Sequence, residues 1–98
     1  MKVMMVWPPQ QAYPEALHEV DEQEWLSQAQ TIVGGYITQV PVYGYHFIKG
    51  EEEPLLKILS AWADEDGLSK GLRTNVGASR YFGTRLVGHV AIIAEVEE

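Results

Sequence analysis

The stretch Leu86–Val96, LVGHVAIIAEV, decides how this chain folds. In an extended backbone Leu86, Gly88, Val90, Ile92, Ala94 and Val96 lie on one face, and Val87, His89, Ala91 and Ile93 on the other. Both faces are dominated by apolar residues, so both need cover, as in a central strand of a sheet. The strand runs out into the polar tail Glu95, Glu97 and Glu98. With 98 residues and 11.0 kDa, the chain has room around such a strand for one small domain spanning residues 1–98.

Working outward, Asp21–Gly35 (DEQEWLSQAQTIVGG) supplies a cover. Asp21 is a good N-cap, and Glu24 three residues later completes a capping-box pattern. Trp25, Leu26, Ala29, Ile32 and Val33 then fall on one helical stripe, with Trp25 as a core anchor, and Gly34-Gly35 supplies a left-handed stop. Lys2–Trp7, closed by Pro8-Pro9, reads as a first strand, and Pro14–Val20 as a weak edge strand. Tyr36–Val42 reads as a strand that Pro41 confines to an end, an edge or a bulge. Tyr43–Lys49 alternates Tyr43, Tyr45 and Phe47 on an aromatic face, and Glu51–Glu53 reads as a charged loop. Leu55–Ala63 fits either period. Pro54, Leu55, Ile58, Leu59 and Trp62 suit a helix, whereas Ile58, Ser60 and Trp62 alternate with Leu59, Ala61 and Ala63 as in a strand. Asp64–Gly67 follows as a turn, with Gly67 expected at positive φ. The expected fold is α+β: a small, mostly antiparallel sheet, one main amphipathic helix (about 22–33) packed on one face, and a short helical turn near 76–82 capped by Asn75.

Fourteen acidic residues against seven Lys and Arg give a formal charge of −7, and 46% apolar content points to a folded globule rather than an acidic disordered tail. The charge is unevenly spread. Gly67–Ala94 holds no acid and four cations (Lys70, Arg73, Arg80 and Arg85), a net +4, which leaves −11 for the remainder. A segment of that kind can present a local anion site while the whole molecule repels long polyanions, which argues against duplex nucleic acid as a partner. No apolar run is long enough to cross a membrane and no signal-peptide pattern opens the chain; with no cysteine, the expectation is a protein of a reducing cytoplasm.

The segments TIVGGYITQV, ADEDGLSKGLRTN, ASRYFG and LVGHVAII, in that order, resemble the bacterial and phage domain-of-unknown-function family numbered three-eight-four-six, over about Trp25 to Ala94. Two departures stand out: Tyr43–Leu56 is longer than the family's hairpin, and Arg73-Thr74 replaces a commonly proline-rich pair before Asn75. The resemblance implies a strand over Ile58–Ala63. It implies no activity, and the phage or mobile-element setting of many members suggests host manipulation by analogy.

Patterns of catalysis are missing. His18, His46 and His89 are 28 and 43 residues apart without metal-ligand spacing, and Ser27, Ser60, Ser69 and Ser79 lack a nucleophile-elbow context. Asp64, Glu65 and Asp66 do not make an EF-hand repeat, and the glycines between Gly77 and Gly83 have neither phosphate-loop nor dinucleotide spacing. The expectation is a non-enzyme with no cofactor and no metal. Its candidate ligand-binding residues are Lys70, Arg73, Asn75, Arg80, Tyr81 and Arg85, where free amides at a helix start and guanidinium groups would hold a small anionic, nucleotide-like ligand. Tyr81, with Tyr43 or Tyr45, would stack on a base, and copies in a homo-oligomer would share the site. Such a protein would sequester a signal on behalf of a phage. The alternative is an interaction module or nucleic-acid mimic with an acidic stripe of Glu15, Glu19, Asp21, Glu22 and Glu51–Glu53; a third is a structural domain with no ligand.

Overall fold

The computed structural model describes residues 1–42, 46–48 and 55–96. Its elements are β1 (Lys2–Trp7), β2 (Glu15–Glu19), α1 (Trp25–Val33), β3 (Ile37–Val40), β4 (His46–Ile48), β5 (Leu55–Asp64), α2 (Val76–Phe82) and β6 (Val90–Val96). One antiparallel sheet has the order β2-β1-β6-β5-β3, and β4 pairs with the opposite end of β5 from β3. β6 sits between β1 and β5, the central position that its apolar faces require.

Alternation along the strands divides the core into two layers. Met5, Trp7, Val90, Ile92 and Ala94 join Ala78 and Phe82 of α2, whereas Met4 and Ala91 join Ala29 and Val33 of α1. Met4, Met5, Val90 and Ile92 are wholly buried, each worth about 1.5–3 kcal/mol relative to exposure. Trp25 packs its ring 5.5 Å from that of Trp62 in the α1 layer.

Four local expectations change. The long strand expected from Leu86 begins at Val90, because Gly88 turns the chain at φ 74° and residues 86–88 pair instead with 73–75. There Asn75 N–H donates to Leu86 O (2.8 Å) and Gly88 N–H to Arg73 O (2.7 Å). Gly67 does not have positive φ; the positive value falls at Gly71 (69°). Gly67 is glycine for space, since a Cβ there would lie 2.6 Å from Val87 Cγ2. The helix expected from about residue 22 starts at Trp25, because the Asp21 carboxylate accepts from Gln23 N–H (2.9 Å) and Glu24 N–H (3.2 Å) and closes a separate turn first. Glu24 makes no side-chain cap; Gln28 Oε1 accepts from Asp21 N–H instead (3.4 Å).

The double period of Leu55–Ala63 has a structural cause. β5 is a strand, and its register with β6 slips between Ile58 and Ser60, so Leu59 is an extra residue. Leu56 and Ile58 before the slip, and Ala61 and Ala63 after it, therefore face the same core layer. The resulting spacing of two, three and two residues breaks the strict alternation expected of a strand. Tyr43, Tyr45 and Glu51–Glu53 lie outside the described residues.

Candidate functional site

The six candidate residues do different jobs. Lys70 turns back onto the end of β5, its Nζ 2.7 Å from Asp64 Oδ2 and 3.4 Å from Gly34 O. The Asp64 side chain is only 1% exposed. Burial opposes its ionisation, but the Lys70 hydrogen bond, the Asp66 amide (2.8 Å) and the ammonium charge outweigh that and hold its carboxyl below the ordinary value. Lys70 thus serves an internal carboxylate and fastens the Asp64–Gly71 turn to the end of α1.

Asn75 is wholly buried, and its side chain is fully used. Oδ1 accepts from Ala78 N–H (3.1 Å) as the N-cap of α2, while Nδ2 donates to Trp7 O (2.7 Å) and Gly88 O (3.0 Å). These bonds assign Asn75 to the fold rather than to a ligand. The helix start expected to cradle an anion is also covered. Trp7 Nε1 donates to Gln11 O (3.1 Å), and a Cβ on Gly77 would meet these atoms at 2.7 and 2.8 Å.

Arg73, Arg80 and Arg85 are exposed and form no ion pair among the described residues. Arg73 lies before the cap, Arg80 in the last turn of α2, and Arg85 beyond its Gly83 terminus. Tyr81 is half-buried, with its ring 5.5 Å from Trp7 and 5.1 Å from Phe82, so one side of the expected stacking surface is occupied by the protein. His18 Nδ1 is 3.0 Å from Glu19 O, and His89 is exposed. No group of three potential metal ligands occurs among the described residues, and no helix among them is long and apolar enough to cross a membrane.

A different surface gathers at β2. Among the described residues this strand pairs only with β1, and all five of its residues are exposed. A register slip between Met4 and Met5 leaves Leu17 as the extra residue of β2. Beside it runs an open groove of about 310 Å³, with Leu17 and His18 on one wall. The other wall is Glu24, Ser27, Gln28, Thr31 and Ile32, a single flank of α1 and the turn before it. From Glu15 to Glu24 the rim carries Glu15, Glu19, Asp21, Glu22 and Glu24 and no Lys or Arg. Lys2 reaches Glu22 at 3.6 Å from β1. Composition pointed to the acids; what placed the groove beside them was the exposed, bulged β2, which the weak alternation of Pro14–Val20 signalled only as an edge.

Comparison with family models, curated proteins and solved structures gives no match.

Proposed function

We propose that this protein is a non-catalytic interaction domain that receives an extended basic segment of another protein along β2. The observation that carries this reading is a sheet edge that no further strand covers among the described residues, lying beside an open groove and near five carboxylates, of which Glu22 is met by Lys2. An edge strand offers a row of amide and carbonyl groups to any extended chain, and the flanking charge selects which chain docks. The likeness to a phage-associated family adds a setting: a small acidic protein that occupies a basic host protein.

A short synthetic peptide alternating valine and lysine tests the reading by NMR titration of the labelled protein. Binding should perturb the amides of Glu15–Glu19 and weaken as salt shortens the Debye length from about 30 Å to about 8 Å. Two further peptides, N-methylated on alternate residues in opposite phases, decide whether backbone pairing is involved. One phase should lose binding and the other keep it. Equal binding of both would overturn docking on the strand edge.

A specific observation favours a second reading, in which the α2 side holds a small anion through Arg73, Arg80 and Arg85. Among the described residues these arginines form no ion pair with an acid. A second copy would have to complete the site, since Lys70 and Asn75 are committed elsewhere. A thermal-shift panel of linear and cyclic nucleotides checks it. Saturation at a hundredfold the dissociation constant stabilises by about 2.7 kcal/mol, and that shift should vanish in Arg80→Ala.

A further inference from the structure

The groove beside β2 has a composition that specifies more than a basic partner. Its walls bring apolar Leu17 and Ile32 together with the polar Ser27, Gln28 and Thr31, and only one carboxylate, Glu24, opens into it. Among the described residues the Glu24 carboxylate makes no hydrogen bond or ion pair. Glu24 also occupies the N-cap position of α1, where a negative charge is favoured by the helix dipole. His18 and Met4 are cross-strand partners, and Met4 belongs to the α1 layer, so this side of β2 looks toward α1.

A strand added to β2 would send alternate side chains toward the same side. A lysine or arginine there could lay its methylene stem along Leu17 and Ile32 and bring its charged head to Glu24. We propose that Glu24 is a specificity-determining residue, which selects a lysine or arginine at one defined position of the docked segment, while Glu15, Glu19, Asp21 and Glu22 attract basic segments without regard to position. The proposal rests on docking along β2. The geometry separates the two kinds of acid: Glu24 lines the groove together with Leu17 and Ile32, whereas none of the other four lines it.

The valine–lysine peptide is replaced one lysine at a time by norleucine, which keeps the stem and removes the charge, and each version is titrated into the parent and into Glu24→Gln. One position should lose about threefold to fivefold in affinity with the parent, more than its neighbours, and that excess should disappear in Glu24→Gln. Glu22→Gln serves as the comparison and should lower all affinities alike without removing the positional preference. A flat profile in the parent, or a preference unchanged by Glu24→Gln, would overturn the role of Glu24 while phase-selective N-methyl sensitivity still upheld docking. Loss of that phase selectivity would instead remove the β2 reading itself.

Discussion

Asn75 joins three parts of the chain through one side chain. Its amide nitrogen donates to Trp7 O, 68 residues away, and to Gly88 O, while its oxygen caps α2. Asn75→Ala would remove the cap and leave two buried carbonyls without their donor, at a cost of about 2–4 kcal/mol. Chemical denaturation should show that loss directly. Asn75→Asp would keep the acceptor yet turn a second oxygen toward the carbonyls of Trp7 and Gly88, so it should not restore stability. Asp64 makes a pH-dependent contribution. Its folded pKa lies below its value in the unfolded chain, so the stabilisation is complete above the unfolded value of about 3.9 and drains away as pH falls through the lower folded value. Lys70→Met removes both the hydrogen bond and the charge. It should lower stability at neutral pH and flatten the acid limb of a stability-versus-pH curve, an outcome readable by urea titrations from pH 7 downward. A limb as steep as that of the parent would show that other carboxylates govern acid unfolding.

At the scale of elements, the slip in β5 separates substitution from deletion. Leu59 is 38% exposed, so Leu59→Thr should change stability by less than about 1 kcal/mol. Deleting it would remove the parity change and turn either Leu56 and Ile58 or Ala61 and Ala63 out of their core layer. Circular dichroism and thermal melting should find the deletion unfolded at 25 °C, while the threonine variant melts cooperatively. The same slip explains a limit on what the sequence discloses. β1, β2, the stop of α1 at Gly34 and the Asn75 cap of α2 all follow from local pattern, since each rests on neighbouring residues. Leu59 defeats the pattern because one extra residue interrupts the strand's alternation part-way along. Gly67 misleads for a related reason: the tightest demand on it comes from Val87, twenty positions later, ahead of Asp64 O in its own turn. The roles of Lys70 and Asn75 were hidden for a like reason, since nothing near Asn75 announces Trp7 and nothing near Lys70 announces Gly34.

Across the whole molecule the charge separates by surface. The β2 rim has five carboxylates between residues 15 and 24, whereas the α2 side carries Arg73, Arg80 and Arg85. The rim repels its own copy, so self-pairing along β2 is opposed at low salt. Glu15→Gln combined with Glu19→Gln should relieve that repulsion. Sedimentation velocity should then detect dimers at concentrations where the parent shows none through this edge, and added salt should narrow the difference. The position of β6 has a consequence in time. It follows the other five strands in the chain, yet among the described residues it alone links the β2-β1 hairpin to β5 and its neighbours. A nascent chain stopped before Val90 holds two half-sheets whose facing edges are unpaired. Until β6 has emerged and inserted between them, those edges are open to chaperones, proteases and one another. Protection from proteolysis should therefore arrive in a single step with β6, and not accumulate as the earlier strands appear.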